Sequence, residues 1–297
     1  MNTTELRDLL TASEPPLLLM VLPEEIFGAG HIPGSVNACV YEMAFLDTVR
    51  ALASHKDHPI VVYGAGEGSL DSDTALAKLG TDGYSDVRTF TGGMAAWKAA
   101  GLPLNGTGQF PAAPEIDGRY QVDTQESVIR WTGRNLFNHH HGAVQLASGE
   151  MVVQSGRLVS ACFTIDMATI ACDDLSDPGW NAMLIRHLHD ADFFDVARHP
   201  VAECTIDTVT EIQGATEGTP NHQLHGDFTL RGTTQPIEFP AVIATVDGSR
   251  ITGQAQLEID RTQYGSLYGS GKFFRFLGRH VVNDHIQLHV KLHADRC

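Results

Sequence analysis

The period of the hydrophobic pattern changes once along this chain, near residue 110, and the change divides it into two kinds of architecture. Before that point short apolar runs alternate with helical patterns: residues 17–22, 59–63 and 87–90 read as strands, and residues 45–54, 72–79 and 94–100 as helices. Strands that reach one another through helices make a parallel sheet, so this half is expected to be an α/β domain. After residue 117 the period falls to two. Ile129 and Trp131 alternate with Val128, Arg130 and Thr132, and near the end Ile286, Leu288, Val290 and Leu292 alternate with His285, Gln287, His289, Lys291 and His293. Turn pairs punctuate these runs at Ser148-Gly149, Ser155-Gly156, Arg231-Gly232 and Asp247-Gly248. Many short strands with polar turns predict an antiparallel barrel or sandwich, with one helix expected over residues 178–189. Residues 105–114 hold Gly and Pro without periodicity. The expected organisation is therefore a domain over 1–108, a linker over 109–116 and an all-β domain over 117–297.

Charge narrows the partners. The chain carries 36 acidic against 20 basic side chains, a net −16. Such a balance repels phosphate backbones and anionic membrane surfaces, so nucleic acid is excluded as an expected partner. The apolar run at residues 17–22 is too short to span a bilayer, and no transmembrane segment is expected. The first ten residues are polar and lack the pattern of a secretory leader. The five cysteines, Cys39, Cys162, Cys172, Cys204 and Cys297, are scattered and odd in number, as expected of reduced thiols in a cytoplasmic protein.

Three ordered segments of the first half resemble rhodanese-like domains. They are residues 30–37, which begin Gly30-His31-Ile32-Pro33-Gly34; the strand at residues 59–63; and residues 92–103, which hold Gly92, Gly93 and Trp97. In active members of that family a cysteine follows the strand at once, its thiolate cradled by backbone amides at a helix start. Here the loop reads Gly64, Ala65, Gly66, Glu67, Gly68 and Ser69, and Gly64 stands where the nucleophile belongs. Serine forms no persulfide, and Glu67 opposes anionic sulfur donors. Cys39 lies outside the loop and reads as a packed core thiol. The expectation is a domain without sulfurtransferase activity that acts as a docking surface for a protein partner or in regulation.

The second half resembles the YceI-like family through five ordered segments: Gly118 to Asp123 with Ser127 and Trp131; Phe163 to Met167 with Asp173 and Asp174; His187 and Leu188 with Asp192 to Val196 and His199-Pro200; residues 226–232; and residues 259–265. The resemblance implies a lipocalin-like antiparallel β-barrel enclosing the tail of an isoprenoid lipid, such as a quinone or a prenyl phosphate. Alternation would turn Ile286 and Leu288 inward and the neighbouring histidines outward, giving a lumen for a hydrophobic small molecule. Trp131 and Phe163 join the candidate lining. Phe193 and Phe194 either line the mouth or close the bottom as core. Asp260, Arg261 and Tyr264 either orient a head group or form a structural ion pair at a bend. The segment 268–279 is aromatic and basic; Phe273 and Phe274 are candidate ligand contacts, and Lys272, Arg275 and Arg279 would meet an oxygen-rich head. The bland alternative is a surface loop with apolar anchors.

Twelve of the fifteen histidines follow residue 110. A metal site built from them would draw on His141, His187 and His189, but no spacing demands one. The rival functional class, an enzyme using redox, metal or sulfur chemistry, lacks a nucleophile in the loop and a recognisable acid–base pair.

Overall fold

Every apolar run expected as a strand before residue 110 becomes one in the computed structural model, which describes residues 1–111, 114–245 and 247–297. β1 (Leu17–Met20), β2 (Val36–Asn37), β3 (Ile60–Tyr63) and β4 (Val87–Thr89) form a parallel sheet in the order β2-β1-β3-β4. Helices α1 (Thr3–Leu10), α2 (Glu24–Ala29), α3 (Phe45–Leu52), α4 (Asp71–Thr81) and α5 (Gly93–Ala99) accompany it. β3 is buried along its whole length because both faces are covered. Leu19 and Val62 pack with Phe45 and Val49 of α3 and Leu79 of α4. Leu18, Met20 and Tyr63 pack with Leu6 of α1 and Met94 and Trp97 of α5.

The second unit is a closed antiparallel barrel. Its strands are β5 (Gly118–Val122), β6 (Val128–Arg134), β7 (His139–Gln154), β8 (Arg157–Cys172), β9 (Val201–Glu211), β10 (His222–Leu230), β11 (Thr233–Thr245), β12 (Arg250–Asp260) and β13 (His285–Arg296). β12 pairs with β13 and closes the ring. β5 and β6 share one position in it: both lie between β7 and β13, at different heights. Nine strands therefore make eight staves, a size that leaves room for side chains or one slender ligand. An α-helix, α6 (Pro178–His189), joins β8 to β9 and spans the predicted residues.

Two of the expected turns are two-residue hairpin turns with positive φ at both positions, Ser155-Gly156 (54° and 73°) and Arg231-Gly232 (53° and 70°). Ser148-Gly149 is not a turn. It lies inside β7 beside a register shift between Leu146 and Ser148. A Cβ on Gly149 would stand 2.7 Å from Val122 Cγ2 and 2.8 Å from the Phe163 ring, so the glycine serves close packing within a strand. The chain divides into Met1–Ala112 and Ala113–Cys297, within the stretch expected as a linker; residues 112 and 113 of that stretch lie outside the described residues. Among the described residues no helix is long and apolar enough to cross a membrane.

Candidate functional site

The barrel is hollow toward one end, where a cavity of about 330 Å³ opens. Alternation along the strands supplies its wall: Ile129 and Trp131 from β6, Ile165 from β8, Phe228 from β10, and Ile286 and Leu288 from β13. The Trp131 indole N–H donates to the Ala171 carbonyl at 3.1 Å, which fixes the ring. α6 adds Leu184, His187 and Leu188. Asp177 starts this helix by accepting the Trp180 N–H at 2.9 Å, with Pro178 in the first turn. Just beyond it Phe193 and Phe194 are both buried, their rings edge to face with centroids 4.8 Å apart. His187 stands against Phe193 and against Tyr268, at 5.6 and 4.4 Å.

A second chamber of about 80 Å³ lies deeper, lined by Met151, Leu158, Phe163, Leu224 and Phe239 among others. Ile129, Ile165, Phe228 and Leu288 line both spaces, forming a collar between them. Cys204 lies on the wall of the inner chamber, and burial pushes its thiol up to about 12.

Besides Trp131 and Tyr268, the polar residues lining the outer cavity are three arginines (Arg134, Arg261, Arg279), three histidines (His140, His187, His280), and Asn135 and Asn283; among the described residues no carboxylate lines it. Arg261 is fully buried and builds the rim. Its guanidinium donates to the carbonyls of Asn283 (3.0 Å), Ser266 (2.6 Å), Tyr268 (2.8 Å) and Val282 (3.2 Å), and lies over the Phe193 ring at 5.2 Å. Burial lowers its pKa, and the nearby Asp284 and Asp260 oppose that shift. Asp260 itself pairs with Lys272 at 2.8 Å and accepts the Thr262 hydroxyl at 2.6 Å. Its burial favours the neutral acid, but the ammonium and the Thr262 donors outweigh it and hold the carboxyl at about 2. Asp260 and Arg261 thus take different partners, where an ion pair between the two was one of the readings of the sequence.

In the first unit, β3 delivers the chain at Tyr63 into the loop 64–70, and α4 starts at Asp71. Asp71 is buried, and its carboxylate accepts the Ala65 N–H at 2.9 Å and the Ser72 N–H at 3.2 Å. A Cβ on Gly64 would overlap that carboxylate. The Gly64 and Ala65 carbonyls accept from Met94 and Ala95 at 3.0 and 3.1 Å, so the start of α5 holds the loop from the other side. Cys39 is buried.

A model of the YceI-like domain matches residues 120–294. The chain belongs to the YceI-like family. A model of the rhodanese-like domain matches residues 2–100, so the parallel-sheet unit preceding the YceI-like barrel is a rhodanese-like domain. Among curated proteins, an HTH-type transcriptional regulator of Mycobacterium tuberculosis is 34% identical over 88 residues, 30% of this chain and 37% of the regulator; the match spans little more than a third of that relative's length. Among solved structures, BcnA of Burkholderia cenocepacia is 22% identical with a TM-score of 0.45, over 58% of this chain and 98% of that one. A polyisoprenoid binding domain from Saccharophagus degradans is 14% identical with a TM-score of 0.43, over 60% and 98%.

Of the residues read from sequence, the YceI-like barrel brings Trp131, Phe193, Phe194, Arg261, Ile286 and Leu288 to the outer cavity and Phe163 to the inner one. Tyr264 lies behind the wall, edge-on to Phe228 at 5.5 Å, and lines neither space. Phe273 and Phe274 are corrections: their loop turns them outward, 54% and 47% exposed, and they line neither cavity. Lys272 is engaged by Asp260, while Arg279 reaches the rim as expected.

His141, His187 and His189 do not converge as a ligand set. Two residues apart on α6, His187 and His189 point to different sides of the helix. Among the described residues the set whose ligand atoms approach within 4.8 Å is His140, Cys172 and Asp174. Hydrogen bonds account for that knot. Asp174 accepts from His140 Nδ1 at 2.9 Å, from Cys172 Sγ at 3.2 Å and from the His141 N–H at 2.9 Å. Its carboxyl is held well below the usual range: burial raises it, and these donors overcome that. Sequence reasoning missed Phe228, Ile165 and Tyr268 in the wall, and Asp71 in the loop. Period two through β8 and β10 was the available signal for the first two.

Proposed function

We propose that this protein binds one amphiphile in its YceI-like barrel, an isoprenoid-type tail inside and an oxygen-bearing head at the rim. The reading is carried by one observation: a two-chamber apolar lumen opens into a rim with three arginines, three histidines and no carboxylate, in a chain of net charge −16. The tail gains roughly 25 cal/mol for each Å² of apolar area it removes from water. Among the described residues the rim guanidiniums of Arg134 and Arg279 meet no carboxylate, which favours a phosphate or a quinone carbonyl over a cationic or purely hydrocarbon ligand. Membership of the YceI-like family supports an isoprenoid tail, and the apolar residues shared by the two chambers suit an extended hydrocarbon chain.

The rhodanese-like unit is read as catalytically silent and as a docking or regulatory module. A buried carboxylate in the place of the thiolate leaves no nucleophile, and it repels the anions that sulfur transfer requires.

Native mass spectrometry of freshly purified protein, followed by solvent extraction, tests the carrier. A released mass with isoprene repeats supports it. A clean apo mass that also fails to take up added quinone or prenyl phosphate removes it.

A further inference from the structure

The rim of the outer cavity bears aromatic side chains that nothing in the fold covers. Phe137 sits at the β6–β7 hairpin, 73% exposed, next to the exposed Leu136. Phe273, Phe274 and Phe276 are carried by the loop between Gly269 and Val282, which the Val282 N–H closes onto the Gly269 carbonyl at 2.9 Å. Phe276 is fully exposed and holds a left-handed backbone (φ 62°), a conformation unfavourable for a bulky side chain. Hairpin and loop are one surface: the Asn283 N–H donates to the Arg134 carbonyl at 2.8 Å, and Asn135 bridges to Val282. That same surface borders the opening, because Arg134, Asn135 and residues 279–283 line the cavity. On α6, exposed Trp180 lies one turn before Leu184, which lines the cavity too.

Charge singles out the same two segments. Residues 127–149 hold Arg130 and Arg134, and residues 261–283 hold Arg261, Lys272, Arg275 and Arg279; neither stretch contains an Asp or Glu, in a chain with 36 of them. Among the described residues Arg134, Arg275 and Arg279 have no carboxylate within ion-pair distance.

We infer that the cavity rim is a docking surface for a lipid bilayer bearing anionic head groups. Aromatic rings at loop tips suit the interfacial zone, where an apolar body and a wet edge are both accommodated. Unpaired arginines beside them reach lipid phosphates while their stems lie along the apolar layer. The net negative charge of the chain does not forbid this. At physiological ionic strength fields fade over about 8 Å, so head groups meet the two cationic loops rather than the whole molecule. The purpose assigned to docking rests on the carrier reading: a mouth pressed to the bilayer lets an apolar tail pass into the barrel without crossing water.

The test is flotation of the full chain with vesicles of phosphatidylglycerol mixed with phosphatidylcholine, and with vesicles of phosphatidylcholine alone. Wild type is expected to float with the mixed vesicles and to bind the neutral ones more weakly. The triple variant Phe137→Ser, Phe273→Ser, Phe276→Ser, with an unchanged melting temperature, is expected to lose at least about tenfold in binding. Arg275→Glu with Arg279→Glu is expected to abolish the preference for the mixed vesicles. Wild type that stays unbound, or a triple variant that floats as well as wild type, overturns the inference. So does light scattering that shows a dimer lost in the triple variant without any flotation. Ala202→Phe, which fills the lumen, separates the two readings: it should lose co-purifying lipid and still float. A wild type that neither carries lipid nor takes up added quinone or prenyl phosphate, with flotation intact, would sink the carrier and leave the docking surface standing.

Discussion

The Asp71 carboxylate occupies the space a side chain on Gly64 would need, while accepting the amide of the residue between them in the loop, Ala65. The space beside Gly64 is thus already filled, and a larger side chain there would have to displace the carboxylate. Restoring the cysteine alone is expected to fail. Gly64→Cys should show no thiosulfate:cyanide turnover and should lose on the order of 1–3 kcal/mol of stability, the range for overpacking a buried site. Adding Asp71→Ala should recover most of that loss in denaturant melts. Turnover by the single variant would refute the reading of Asp71 as a blocking group.

Arg261 holds the rim through four carbonyls that no other side chain supplies with donors in this geometry. Arg261→Ala should cost about 3 kcal/mol, because carbonyls are left buried without partners. Arg261→Lys should recover less than half, since an ammonium cannot reproduce the planar fork. Thermal unfolding of the three proteins checks both. A lysine variant as stable as wild type would show that charge, not geometry, is what the rim requires.

How much of this was legible in the sequence depends on how local each cause is. The inward row from Ile286 to Leu292 and the helix at residues 178–189 announce themselves, because alternation, a capping Asp177 and Pro178 act within a few residues. Gly149 was misread because a glycine that admits a neighbour looks the same, in one sequence, as a glycine that turns the chain. Arg261 takes its partners from loops 5 to 22 residues away, whose carbonyls carry no residue-type signal. Phe273 and Phe274 became candidate ligand contacts because their segment is aromatic and basic, and a loop does not obey the alternation that makes hydrophobicity a guide to direction. Net charge is a whole-chain quantity and is equally blind to position. Averaged over the chain it argues against an anionic surface, while the two rim segments are free of carboxylates.

On the carrier reading, the collar is where tail length should be discriminated. Leu288→Phe should narrow the passage between the chambers, so that short prenyl chains still bind and long ones bind at least about tenfold more weakly, at a cost of roughly 1–3 kcal/mol in stability. Fluorescence titration with a series of prenyl chain lengths measures it. Equal losses for all lengths would mean that the inner chamber takes no part in binding.

The Asp260–Lys272 pair predicts an acid response of defined sign. The Asp260 pKa falls from 3.8 to about 2 on folding, so its contribution to stability is present above 3.8 and is lost as the pH falls toward 2. Asp260→Asn should therefore be less stable than wild type at pH 6, and the gap should shrink as the pH falls below 4. Melting temperatures across that range decide it. A gap that stays constant would show that the pair has no linkage to protons.

The stave shared by β5 and β6 gives the barrel an unusual response to tension. A pull entering through the chain ahead of Gly118 would act first on β5, which pairs with β13 only over Tyr120 to Val122. β6 binds the same two neighbours independently, at Thr132 with Gln287 and Ile129 with Val144. The leading strand can therefore peel away as a sacrificial layer while the ring stays shut behind it, and a force–extension trace should show a small early rupture that leaves the lumen and its contents in place.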